Sequence, residues 1–172
     1  MKKVLVLGGS GYIGHAIIQT LAKDPQWNLY TTYNSSPSPL EAAKSIKLDL
    51  DHLEGFIENY KTLSPDITIS CIRGDFDLQL RLHQEMADAL KENNGIIYFF
   101  STANVFDQDN SKAHVESDQT CSISPYGLFK INCENLLQKI LGSRTCIIRL
   151  PQVWGKQAPR LNQLKEAEQK KS

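Results

Sequence analysis

Short apolar runs alternate along this chain with longer stretches in which apolar residues recur every three or four positions. Lys3–Leu7 reads as a buried strand. It breaks at a cluster of glycines, and a helix follows from Gly11 to Lys23 with Ile13, Ala16, Ile17 and Leu21 on one face. Asp24-Pro25 ends that helix. Asn28–Tyr33 is rich in β-formers and reads as a second strand, and the Ser/Pro stretch Asn34–Pro39 as a loop. The pattern then predicts a strand at Ser45–Leu50, a helix at Asp51–Lys61, a strand at Asp66–Ile72 and a long helix at Phe76–Asn93. A fifth strand is expected over Gly95–Ser101, with Thr102 at its end. Ala103–Ser124 is polar and irregular, Pro125–Leu141 reads as a helix and Thr145–Leu150 as a sixth strand. Strands alternating with helices imply an α/β fold, a doubly wound parallel sheet of six or more strands with right-handed crossovers. Residues 1–157 are expected to form that domain and residues 158–172 a charged helical tail, frayed from Glu166 onward.

Composition narrows the function classes. The chain has 172 residues, and its 19 basic and 19 acidic side chains cancel, so no overall field favours nucleic acid or an anionic membrane. Val4–Leu7 is too short an apolar run for a signal peptide core or a membrane span. Cys71, Cys121, Cys133 and Cys146 form no CxxC pair, and His15, His52, His83 and His114 show no ligand spacing with them, so reduced thiols, a cytoplasmic location and no metal are expected.

Gly9-x-Gly11-x-x-Gly14, preceded by Gly8, matches the dinucleotide fingerprint. It lies between a buried strand and an amphipathic helix, the context in which the fingerprint works. Glycines keep the turn tight and let the backbone approach a phosphate, while the helix N-terminus offers free N–H groups. A pyrophosphate site built on Gly8, Gly11, Tyr12, Ile13 and Gly14 follows, in a Rossmann-type domain. Where NAD-specific sites carry a carboxylate, about 20 residues further on, this chain reads Thr32-Tyr33-Asn34-Ser35-Ser36. Asn34 and Ser35 would not repel a 2′-phosphate, which favours NADP, with NAD as the other cofactor the fold can take. Asp49 is placed to accept from an adenine amine, with Leu50 beside it. A helix N-cap is the competing role for Asp49, and Asp51 competes for that cap.

Tyr126 and Lys130 form a YxxxK pair at the start of a helix, and i,i+4 spacing puts both on one face. Six tyrosines make the spacing alone a weak signal; its position after the long loop raises it. A neighbouring ammonium is expected to lower the tyrosine pKa and make it a general acid for a carbonyl oxygen, with the Thr102 hydroxyl on the same oxygen.

Taken in order, Gly8–Gly14, Leu48–Leu50, Pro65–Cys71, Ser101–Asp107, Glu116, Tyr126–Lys130 and Ile148–Gly155 resemble the extended short-chain dehydrogenase/reductases, and among them the sugar-nucleotide reductases of the dTDP-4-dehydrorhamnose type. The resemblance implies NAD(P)-dependent chemistry on a nucleotide-linked keto sugar, with Thr102, Tyr126 and Lys130 as the catalytic set. It also implies cofactor contacts at Cys71, Ile72, Arg73, Tyr126 and Lys130, the lysine holding the ribose, and a homodimer formed through helices.

The departures are informative. Cys71-Ile72-Arg73 replaces small residues and is expected to crowd the cofactor. Ala103 and Asn104 stand where the reductases have Asp-Tyr. The asparagine that supports the lysine has no counterpart, with Gln79 or His83 near its place. Family members continue into a substrate lobe, whereas this sequence stops at Ser172. A fragment, a protein that lost the lobe, and a non-catalytic NADP-binding sensor or regulator are the alternatives. Among the remaining residues, His114 is expected to be a solvated loop residue, Trp154 a packing residue or one that flanks the substrate pocket, and Cys71 a small buried one. Arg149 is expected to be structural, pairing with a carboxylate or supporting the sheet edge, and Arg73 to reach a phosphate or point to solvent.

Overall fold

The structure is a computed structural model, and it describes residues 1–155, 158, 161, 163, 164, 168 and 169. Six strands form one sheet: β1 (Lys2–Leu7), β2 (Trp27–Tyr33), β3 (Ser45–Lys47), β4 (Ile67–Ser70), β5 (Ile96–Thr102) and β6 (Thr145–Leu150). Their order is β3-β2-β1-β4-β5-β6, and every pairing is parallel. Among the described residues, four α-helices with defined bounds flank it: α1 (Tyr12–Leu21), α2 (Glu54–Leu63), α3 (Phe76–Lys91) and α4 (Pro125–Leu141).

β1 is central, and Val4, Leu5, Val6 and Leu7 are all buried because helices cover both of its faces. α1 covers one face, where its Ile18 clusters with Val4, Val6 and Leu29. α2, α3 and α4 cover the opposite face, where Leu5, Leu7, Phe56, Tyr60, Leu82, Met86, Phe99 and Leu137 form the larger core. The strand order reverses between β1 and β4, so the crevice of a doubly wound sheet opens at their carboxyl ends.

α4 and β6 fall where the hydrophobic pattern put them. The boundaries of α4 are strong local signals: Ser124 caps it by accepting from the Gly127 N–H, Pro125 occupies the first turn, and Gly142 follows at positive φ. β3 stops at Lys47 rather than Leu50, because the chain turns there. Asp49 Oδ1 accepts from the Asp51 N–H at 3.2 Å, and α2 begins only at Glu54. The expected irregular segment starts with a 3-10 turn, Ala103–Phe106, capped by Thr102. Of the expected helical tail, residue 158 is not helical, residues 161, 163, 164, 168 and 169 are, and the others lie outside the described residues.

Candidate active site

A cleft of about 690 Å³ opens along the carboxyl ends of the strands, within the size of small-molecule sites. The turn after β1 forms its floor. Gly8 N–H donates to Thr32 Oγ1 at 3.0 Å, and Gly11 N–H to Gly8 O at 2.9 Å. A Cβ on Gly14 would stand 2.2 Å from Gly8 O, so the first turn of α1 packs on the loop only because that position is glycine. α1 has no side-chain cap and no acid in its first turn, leaving its N-terminal N–H groups and positive dipole end directed at the cleft.

Gly8, Gly11, Tyr12 and Ile13 line the cleft, as do Asn34, Leu50, Cys71, Ile72, Arg73, Thr102, Tyr126 and Lys130. Gly14, Ser35 and Asp49 do not. Gly14 serves helix packing. Asp49 is corrected in its expected role as a cap: its Oδ1 closes the Asp49–Asp51 turn, and neither it nor Asp51 caps α2, whose N-cap is Leu53. Ile72 packs against the larger core and Cys71 against the smaller, so both wall the cleft without filling it. Cys71 Sγ donates to Leu7 O at 3.0 Å, and burial pushes its thiol up to about 12, the setting of an inert cysteine. The wall also includes Thr32 and Tyr33 from the acid-free stretch at the end of β2, and Phe100 and Leu150–Val153, to which sequence reasoning gave no role at the site. Their signal was position alone, at the ends of parallel strands. Among the described lining residues there is no Asp or Glu and there are two cations, Arg73 and Lys130.

Thr102 ends β5, while Tyr126 and Lys130 lie in the first two turns of α4. The Thr102 hydroxyl accepts from the Asn104 N–H and donates to Asn104 Oδ1, each at 3.2 Å. Tyr126 is 42% exposed, which opens its ring to the cleft. Lys130 is buried; its Nζ donates to Phe100 O at 3.0 Å and sits 4.5 Å from the Phe99 ring centroid and 5.9 Å from that of Tyr126. Burial brings Lys130 down to about 8. The expected depression of Tyr126 by Lys130 is not what the structure has. Burial raises the Tyr126 phenol, and the charge that opposes this is Arg73, because the lysine ammonium is turned to a backbone carbonyl.

His83 and Gln79 lie behind this set, and neither is hydrogen-bonded to Lys130 among the described residues. His83 is fully buried, with Nδ1 2.6 Å from Gln79 O and Nε2 2.8 Å from Ser70 Oγ. A carbonyl only accepts, so Nδ1 carries the proton and Nε2 accepts from Ser70. Desolvation lowers His83 to about 4. A histidine held neutral in the fold and titrating near 6.5 when unfolded stabilises fully above pH 6.5, and that stabilisation is lost as pH falls toward 4. The protein should be about 2 kcal/mol less stable at pH 5 than at pH 7 from this group. Urea unfolding of the wild type and of His83→Asn at both pH values measures it, and an equal pH dependence in the two proteins would refute it.

The segment after Thr102 is anchored. His114 is not a solvated residue: its ring stacks on Phe106 with centroids 4.4 Å apart, Nδ1 faces Asp118 at 2.9 Å and Nε2 faces Asp109 O at 2.7 Å. The Asp109 carbonyl, with help from Asp118, raises its pKa. Arg149 pairs with Glu134, Nη2 to Oε2 at 2.7 Å, and donates from Nη1 to Glu116 O at 2.9 Å. Ser101 Oγ also donates to Glu134. Trp154, expected to pack, is 56% exposed, because the chain has left the sheet at Pro151.

A family model described as the NAD dependent epimerase/dehydratase family matches residues 4–169. No protein with a curated description matches the chain. Among solved structures, the chain is similar to a hypothetical dTDP-4-dehydrorhamnose reductase from Sulfolobus tokodaii, with 22% identity and a TM-score of 0.78 over 95% of this chain and 60% of that one. It is also similar to the enzyme WbmH of Bordetella bronchiseptica in complex with NAD+, at 19% identity and a TM-score of 0.77 over 97% and 63%. A third likeness is to dTDP-4-dehydrorhamnose reductase of Bacillus anthracis in complex with NADP, at 18% identity and a TM-score of 0.75 over 99% and 61%. At these identities the likeness is one of fold. The chain spans about 60% of the length of these relatives.

Proposed function

Because this chain belongs to the NAD dependent epimerase/dehydratase family, we propose that its cleft binds NADP, or NAD, and serves oxidoreduction or epimerisation of a nucleotide-linked keto sugar. The observation that carries this reading is the lining of the cleft: the start of α1, which no side chain caps, with two cations and no carboxylate among the described residues. That set fits a dinucleotide's pyrophosphate by charge and by backbone geometry. Thr32-Tyr33-Asn34 at the end of β2 brings no acid against a 2′-phosphate, which favours NADP.

When bound, the nicotinamide supplies or takes up the hydride. Tyr126 is the proposed acid, delivering its phenolic proton to the substrate's carbonyl oxygen. Its partial exposure lets a substrate reach it. Thr102 is the proposed orienting group, and its hydroxyl must exchange Asn104 Oδ1 for that oxygen. Lys130, one turn beyond Tyr126, is the proposed source of positive charge behind the phenol and of a donor to the ribose. It retains its charge below about pH 8. The occupied Thr102 hydroxyl and the raised Tyr126 also suit a second reading, a cofactor-binding sensor without turnover. The substrate lobe, the homodimer and the substrate itself remain proposals of the same kind.

Titration of the protein with NADPH and NADH, followed by nucleotide fluorescence, tests the common premise. Saturable binding with NADPH the tighter ligand is expected. Absence of a saturable signal from both would overturn the enzyme and sensor readings together. Binding without oxidation across a panel of nucleotide-linked keto sugars would select the sensor.

A further inference from the structure

Thr102 and Tyr126 belong to different segments, and something must set their separation. Thr102 caps the 3-10 turn Ala103–Phe106, which ends at Asp107. Tyr126 lies two residues after Ser124, the cap of α4. Asp107 joins the two. Its Oδ1 accepts from Ser122 Oγ at 2.8 Å and from the Ile123 N–H at 2.8 Å, and its Oδ2 accepts from Ser124 Oγ at 2.5 Å. Ser124 Oγ in turn accepts from the Gly127 N–H at 3.1 Å. A Cβ at Gly127 would stand 2.0 Å from Ser122 Oγ and 2.6 Å from Asn104 O, so the first turn of α4 rests directly on the turn that follows Thr102.

We propose that Asp107 is a positioning residue: its carboxylate clamps the N-terminal cap of α4 to the turn after β5 and thereby sets the Tyr126 hydroxyl against that of Thr102. This rests on the reading that both hydroxyls address one carbonyl oxygen. All three partners donate, and a carboxylate is the side chain that accepts from all three at once. The hydrogen bond from Ser124, followed by that from the Ile123 N–H, holds the Asp107 carboxyl below the usual carboxylate range, so the clamp stays charged at neutral pH. Displacement of a catalytic group by about 1 Å costs roughly 100-fold in rate, which makes a shift of the start of α4 visible in turnover.

The experiment compares wild type, Asp107→Ala and Asp107→Asn. Asparagine keeps one oxygen for Ser122 and Ile123 but cannot accept from Ser124, so it separates loss of the clamp from loss of the fold. Five quantities are read: NADPH affinity, kcat and KM with a nucleotide-linked keto sugar, amide hydrogen exchange at Gly127 and Leu128, and the absorbance titration of the Tyr126 phenol with Tyr126→Phe as the blank. In Asp107→Ala, kcat should fall roughly 100-fold while KM and NADPH affinity change little. The two amides should exchange faster and the phenol titration should shift. Asp107→Asn should restore part of each. Turnover in Asp107→Ala close to wild type, or a loss carried by KM with kcat unchanged, would overturn the proposal. If the wild type binds NADPH but turns over no sugar, the catalytic reading fails on its own. Exchange and phenol titration then decide: a shift in both supports the clamp, and no change in either refutes it.

Discussion

Tyr126→Phe should lower turnover by roughly 10²–10⁴-fold, the share of the rate carried by a positioned acid, and leave NADPH affinity within about twofold of wild type, since no uniform binding is removed. The substitution deletes one oxygen. Among the described residues that hydroxyl has no hydrogen-bond partner, so no buried group is left unsatisfied by its loss. The ring contacts with Phe76 at 6.0 Å and with Lys130 remain available to phenylalanine. Stability should therefore hardly change. Steady-state kinetics with a nucleotide-linked keto sugar, run beside NADPH titration and thermal melting, provide the check. Retained turnover in a protein of wild-type stability would remove Tyr126 from the chemistry. It would leave the cleft as a binding site, because the α1 terminus and the glycine turn do not depend on that oxygen.

The second large effect concerns stability. Glu134→Ala should cost about 3–5 kcal/mol, the usual consequence of removing one member of a buried ion pair. The Glu134 side chain is 3% exposed and that of Arg149 is 18%. The carboxylate accepts from Arg149 Nε and Nη2 and from Ser101, so alanine would leave a guanidinium and a hydroxyl without their partner. The pair joins α4, β5 and β6, and through Glu116 O it holds the segment that follows the 3-10 turn. Urea unfolding measures the loss. The double variant Glu134→Leu/Arg149→Met is the control: with both charges gone, most of the stability should return. A single variant as stable as wild type would show that solvent reaches Arg149 and that the pair does not hold these elements.

Much of this architecture was legible because its signals are local. Consecutive buried positions mark β1, 3.6-residue periodicity marks α3 and α4, and Ser124, Pro125 and Gly142 punctuate α4. The glycine turn was legible for the same reason, since its function lies in the backbone. The cap role of Asp49 differs because a carboxylate at a strand end looks alike whether it caps the next helix or closes its own turn. His114 and Trp154 differ from expectation because burial depends on what lies opposite: Phe106 covers the histidine, and among the described residues no ring stacks on the tryptophan.

The sequence by itself determined an alternating α/β chain, a glycine-rich turn after the first strand, and a tyrosine and lysine on one helical face, since each follows from residues within a few positions of one another. Only the tertiary structure decided where the charges went. It turned Lys130 to the Phe100 carbonyl, set Arg73 beside the tyrosine, held His83 neutral, and joined Glu134 to Arg149 and Asp107 to the cap of α4. The reason is physical. The energy of a charge is set by the dielectric and by the partners around it, and those partners come from segments far apart in sequence that meet only when the sheet has formed.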